Sequence, residues 1–242
     1  MKARDRLIVA LDVPDLEKAE TLVKLLSPHT GMFKIGLELY TSAGPAAIEM
    51  VKRYDARVFA DLKLHDIPNT VARAARALTR LGADMLNVHA AGGREMLSEA
   101  ARSVKEAAAA AGRPAPLLLA VTVLTSLDAR SLKEEIGIIR PMEEQVVYWA
   151  SLARECGLDG VVASSREAAA VRAACGPNFV IVTPGVRPAG AEHDDQRRVL
   201  TPLEAIRAGA SYIVVGRPIT QAPAPVEAAQ AIIAEIEAGL GE

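Results

Sequence analysis

Asp61, Lys63 and Asp66 place two carboxylates and an ammonium within six residues, in the run Asp61-Leu62-Lys63-Leu64-His65-Asp66-Ile67-Pro68-Asn69-Thr70. The apolar Val58-Phe59-Ala60 comes directly before it. If 58–63 is a strand, Asp61 and Lys63 stand two apart and share one face. Opposite charges side by side at the end of a buried strand are costly to desolvate. Such a cluster is either a salt bridge at the strand's exposed end or the working part of an active site. The window by itself leaves both readings open.

The elements around it decide where such a cluster would sit. Short β-branched runs at 7–12, 32–37, 58–63, 85–89, 117–123, 160–164, 179–183 and 212–216 read as eight strands. Helical patterns fall near 15–27, 44–54, 69–81, 93–111, 142–156, 165–174, 201–208 and 225–238. Alternation of continuous apolar strands with helices predicts a parallel sheet. Eight repeats of roughly 30 residues predict an α/β fold, the (β/α)8 TIM barrel, as one domain over 1–242. A doubly wound open sheet is the alternative. It usually carries a glycine-rich first turn, whereas the first turn here is Asp12-Val13-Pro14-Asp15.

The polar residues collect at the C-terminal ends of these strands, the catalytic face of such a barrel. Strand one ends in Asp12, strand two carries Lys34 and runs into Gly36, and strand three carries Asp61 and Lys63. Strand four ends in Asn87-Val88-His89, strand five runs into Thr122, Thr125 and Ser126, and strand seven into Thr183-Pro184-Gly185-Val186-Arg187. Gly216-Arg217-Pro218-Ile219 follows strand eight, where barrels of this type hold phosphate. Glycine lets backbone N–H groups approach an anion and Arg adds a forked donor. Gln196 and Arg187, on the long 184–200 connection, are placed to close over it. The plainer reading of Gly-Arg-Pro is a turn with a solvated Arg.

Other polar residues read as structural. His29 and His193 lie in loops, His65 as a packing residue, and His89 as a strand-end histidine more often structural than catalytic. No His/Cys cluster asks for zinc. Asp12, Asp61 and Asp66 could hold Mg²⁺, but Lys34 and Lys63 among them would repel it. Lys and Arg number 28 against 30 Asp and Glu, so no basic surface calls for nucleic acid. Cys156 and Cys175 lack metal-ligand spacing and read as free thiols of a reducing compartment. The apolar run at 7–11 is too short for a signal sequence, and no stretch nears the roughly 18 apolar residues of a membrane span. The expectation is a soluble, cytoplasmic protein with no membrane partner.

The same residues closely resemble orotidine 5′-monophosphate decarboxylase of the bacterial type. The resemblance rests on the 61–70 run, Ala10-Leu11-Asp12, Lys34-Ile35-Gly36, Asn87-Val88-His89-Ala90 and Val121-Thr122-Val123-Leu124-Thr125-Ser126. It continues through Val182-Thr183-Pro184-Gly185-Val186-Arg187-Pro188, Gly190 with Asp195-Gln196-Arg197-Arg198, and Val215-Gly216-Arg217-Pro218-Ile219-Thr220, in order over nearly the whole chain. It implies a homodimer with shared sites and cofactor-free conversion of orotidine monophosphate (OMP) to uridine monophosphate (UMP). It further implies that Lys63 protonates the C6 carbanion, within a network of Lys34, Asp61, Lys63 and Asp66. Asp66 and Thr70 would enter from the other subunit. Asp12 and Lys34 would hold the ribose hydroxyls, Thr125 and Ser126 the pyrimidine, and Arg187, Gln196, Gly216 and Arg217 the phosphate.

Two rivals remain beside it. A sugar-phosphate lyase or synthase of the same barrel type also uses Asp-x-Lys-x-x-Asp, but works through Mg²⁺ with an acid where this chain has Lys34. A non-catalytic phosphometabolite-binding barrel would keep Arg217 and Gln196 without needing Lys63 between two carboxylates.

Overall fold

The computed structural model describes residues 1–188 and 200–241. Eight strands close into a barrel in sequence order: β1 (Leu7–Ala10), β2 (Met32–Ile35), β3 (Val58–Leu64), β4 (Met85–His89), β5 (Leu117–Val121), β6 (Gly160–Val162), β7 (Val180–Pro184) and β8 (Tyr212–Val215). Neighbours are parallel throughout, and β8 closes on β1 by pairing Leu7 with Ile213 and Val9 with Val215. Parallel neighbours require a crossover, which the intervening helices supply. The expected (β/α)8 barrel is therefore the observed fold.

Alternation along the strands sorts the residues into two cores. Leu7, Val9, Phe33 and Ile35 join the large layer between sheet and helices. Ile8, Met32, Phe59, Met85, Leu119 and Val214 form a second cluster, the barrel interior. Two residues further along that inner face, Met32 gives way to Lys34, Phe59 to Asp61 and Met85 to Asn87. The barrel thus has an apolar floor and a charged upper layer, set by the period of two and the C-terminal position of the polar residues.

Several boundaries differ from those expected. β1, β5 and β6 end at Ala10, Val121 and Val162, short of the expected 12, 123 and 164. Each continues the ladder by one further backbone bond: Leu11 N–H to the Lys34 carbonyl (2.9 Å), Thr122 N–H to that of Val162 (3.1 Å) and Ala163 N–H to that of Val182 (3.1 Å). Beyond these the strands splay into the rim of a cavity. The helix expected over 44–54 is observed as Ala46–Lys52, and a further helix, Leu37–Ala43, precedes it. Gly44 at φ +58° and Pro45 separate them. The 124–141 connection contains a helix, Ala129–Glu134, whose first turn is capped by Asp128 accepting from Ser131 N–H at 2.9 Å. No helix among the described residues is long and apolar enough to cross a membrane.

Candidate active site

A cavity of about 480 Å³ opens at the C-terminal end of the barrel, within the size range of small-ligand sites. Asp12, Lys34, Asp61, Lys63, Thr125, Arg187, Gly216 and Arg217 line it. Four of these form a continuous chain of alternating charge. Lys34 Nζ lies 2.9 Å from Asp12 Oδ1 and 3.3 Å from Asp61 Oδ2, and Lys63 Nζ lies 2.8 Å from Asp61 Oδ1. Lys34 and Asp61 are each 8% exposed, so neither charge is relieved by bulk water. Each is instead held between partners, the condition under which buried charge is tolerated.

The sequence reaches this arrangement through a local irregularity. The pairing of β3 with β4 shifts register between Ala60 and Leu64. Within that shift Lys63 adopts φ +50°, a left-handed conformation uncommon for a residue with a side chain. Asn87, fully buried on β4, faces the break. Its Oδ1 accepts the Lys63 backbone N–H at 2.8 Å, and its Nδ2 donates to Asp61 Oδ1 at 2.7 Å. Gly36 leaves room for the other end of the chain. A Cβ there would come within 2.9 Å of both Asp12 Oδ1 and Lys34 Nζ.

Burial alone would raise the Asp61 pKa. The Lys34 and Lys63 ammonium groups, with hydrogen bonds from Lys63 and Asn87, outweigh it and hold this carboxyl below its ordinary value. Lys34 shows the mirror case. Burial favours its neutral form, but Asp61 and Asp12 raise its pKa above the ordinary lysine value. The array thus alternates two carboxyl and two amino side chains along one ion-paired chain, an arrangement that can stabilise charge developing in a substrate.

Not every expected site residue lines the cavity. Asp66 and Thr70 are exposed, and Asp66 Oδ1 accepts its neighbour's Ile67 N–H at 2.6 Å. Ser126 is exposed beside Thr125. Gln196, with Gly190, His193 and Asp195 to Arg198, lies outside the described residues. His65 and His89 stack with ring centroids 5.3 Å apart, and neither lines the cavity. Burial, then His65 and Lys63, depress the His89 pKa. Cys156 and Cys175 are free and buried. Glu38, Ser164 and Gln221 line the cavity without having stood out in the sequence. Asn87 is legible in the sequence as a strand-end polar residue, but its contact with both Asp61 and Lys63 depends on the β3–β4 register. The signal available was its inward parity, two residues after Met85.

The chain is similar to known proteins over nearly its whole length. The family model described as "Orotidine 5'-phosphate decarboxylase / HUMPS family" matches residues 5–232. An orotidine 5′-phosphate decarboxylase from Moorella thermoacetica is 69% identical over 237 residues, covering 98% of this chain and 94% of that one. One from Syntrophomonas wolfei is 54% identical, covering 98% of this chain and all (100%) of the other. Among solved structures, the orotidine 5′-phosphate decarboxylase from Lactobacillus acidophilus superposes with a TM-score of 0.82 at 41% identity, covering 95% of this chain and 98% of that one. With a match across most of its length and an ion-pair chain at the mouth of the barrel, this chain belongs to the orotidine 5′-phosphate decarboxylase / HUMPS family.

Proposed function

We infer that the chain decarboxylates orotidine 5′-monophosphate to uridine 5′-monophosphate, a step in making pyrimidine nucleotides, and that it uses no cofactor. The relatives named above carry that activity in their names at up to 69% identity. The observation that carries the reading at the site is the Asp12–Lys34–Asp61–Lys63 chain. Lys34 Nζ stands between two carboxylates, where a Mg²⁺-dependent sugar-phosphate enzyme would need a third acid.

Loss of CO₂ leaves a carbanion in an sp² orbital of the pyrimidine ring, with no carbonyl in line to delocalise it. Fixed charge is then the main means of lowering the barrier. Lys63, tied to Asp61 at 2.8 Å, supports the role of the ammonium that stabilises and then protonates this carbanion. Asp61 fixes the Lys63 rotamer and stands near the departing carboxylate. Asp12 and Lys34 suit the ribose hydroxyls, and Thr125 with Ser126 the pyrimidine. Arg187, Gly216 and Arg217, with Gln196, suit the phosphate. Binding energy from that remote phosphate can order the charged array and so lower the barrier at the reacting bond.

The site reads as shared between two subunits. Asp66, Ile67 and Thr70 are exposed just beyond the C-terminal end of β3, and Ile67, an apolar side chain, is 67% exposed. A second copy covering this segment would bury Ile67 and bring Asp66 and Thr70 to the neighbour's cavity. The two unpaired thiols fit a cytoplasmic location. The direct test is the fall in ultraviolet absorbance on mixing the protein with OMP, in the presence and absence of excess EDTA. Turnover that survives EDTA supports the reading. No turnover, or turnover abolished by the chelator, would overturn it.

A further inference from the structure

We propose that Asn87 is a positioning residue of the decarboxylation site: its one buried amide holds the Asp61 carboxylate and the Lys63 backbone together, and so aims the Lys63 ammonium. This rests on the decarboxylase reading and adds a residue to it. The geometry is specific. Asn87 is 0% exposed, and its two polar atoms reach the two residues that make the reacting ion pair. Neither bond is interchangeable. The amide nitrogen can only donate, so it requires an acceptor at Asp61 Oδ1, the same oxygen that receives Lys63 Nζ. The amide oxygen can only accept, and it takes the N–H of a residue whose φ of +50° is otherwise unfavourable.

Removing the amide therefore does two things at once. It frees Lys63 to relax toward an ordinary strand conformation, which swings its side chain away from the cavity. It also leaves Asp61 Oδ1 with one donor fewer, which makes the carboxylate easier to protonate. The groups facing Asp61 are Lys34 from β2, Lys63 on its own strand and Asn87 from β4. Asp12 bears on it through Lys34, and His89, stacked on His65, lies close enough to feel both Asp61 and Lys63.

The test compares the intact enzyme with Asn87→Ala and Asn87→Asp, in OMP turnover across pH and in UMP binding. In Asn87→Ala, kcat falls by about 10- to 100-fold, the range for a lost hydrogen bond to a charged group. UMP binding changes by less than about threefold, since the lost contacts serve the reacting pair. The acid limb of kcat moves to higher pH, because Asp61 gains a proton more readily. Asn87→Asp keeps the shape and separates geometry from folding. As a carboxylate it repels Asp61. Once protonated it again presents one donor and one acceptor, so its activity rises as pH falls, opposite to Asn87→Ala. Repeating the profiles in a His89→Gln background removes histidine titration from the comparison.

An Asn87→Ala enzyme with unchanged kcat, or one that loses kcat and UMP affinity equally with an unmoved acid limb, overturns the proposal. So does an Asn87→Asp enzyme that shows no recovery toward acid pH, which decides the matter even if Asn87→Ala does not fold. Failure of the intact protein to consume OMP would instead overturn the decarboxylase reading itself.

Discussion

Lys63 is the residue on which most of the chemistry converges, and two substitutions separate its work from that of the phosphate end. Lys63→Ala removes both the charge opposite the carbanion and the proton source. A lost electrostatic donor of this kind costs on the order of 3 kcal/mol, and more where the group is also the acid. Turnover is expected to fall by several orders of magnitude while UMP still binds; single-turnover assays with a parallel binding titration check this, and near-normal turnover would end the assignment. Arg217, exposed on the rim after β8, belongs to the other end. Arg217→Ala is expected to lower kcat/KM for OMP strongly but leave the poor activity on the unphosphorylated nucleoside almost unchanged, because that substrate never uses the contact. Equal losses on both substrates would make Arg217 a support for the fold. The residue types were legible in the sequence because charges at the ends of apolar strands have few structural uses. The Lys63 backbone was not, since a positive φ at a lysine has no compositional sign and follows from the register shift against β4.

At the scale of elements, the strand–helix alternation was readable from apolar runs, whereas their ends were not. Where β1, β5 and β6 stop depends on where the barrel opens, which is a property of neighbouring strands and not of the local run. Gly44-Pro45 marks the start of the expected 44–54 helix, observed as Ala46–Lys52, whereas the helix Leu37–Ala43, directly after the motif residue Gly36, carries no such mark. A recurring device at the floor of the barrel is likewise not legible from local runs. Asp84, Asp159 and Ser211 precede β4, β6 and β8, each two residues after a glycine in the left-handed region. Each gives its backbone N–H to, and takes a backbone N–H on its side chain from, one residue in the preceding strand: Val58, Leu118 and Ile181 respectively. This reciprocal pair extends the ladder by one rung at three places around the ring. Asp159→Ala leaves the Leu118 N–H without its 2.8 Å partner and is expected to cost about 1–3 kcal/mol. Because the floor lies at the opposite end from the cavity, KM and kcat for OMP should hold. Urea titration with an unchanged m-value checks the first part. A loss of activity without a loss of stability would contradict this division between floor and site.

The whole molecule brings together two carboxylates and two ammonium groups from β2, β3 and the segment after β1, but within one chain Asp66 stays outside that array. The motif spacing could show that Asp66 lies near Lys63 in sequence; it could not show which cavity Asp66 serves. Ile67, next to it in the chain, is a large apolar side chain left 67% exposed, the kind of surface a second copy covers. If Asp66 completes the neighbour's site, Lys63 and Asp66 of one chain serve different sites, and the two lesions complement. Chains carrying Lys63→Ala and chains carrying Asp66→Ala are each nearly inactive alone. When they are mixed and allowed to exchange, half of the dimers are mixed. In each mixed dimer one site carries both lesions and the other carries neither, as two-fold symmetry requires. About a quarter of all sites should then be intact, and turnover should rise toward about a quarter of the unmodified enzyme's. Native mass spectrometry follows the exchange independently of activity. A mixture that exchanges fully yet stays as inactive as its parents would place Asp66 in the service of its own chain, and the shared site would have to be given up.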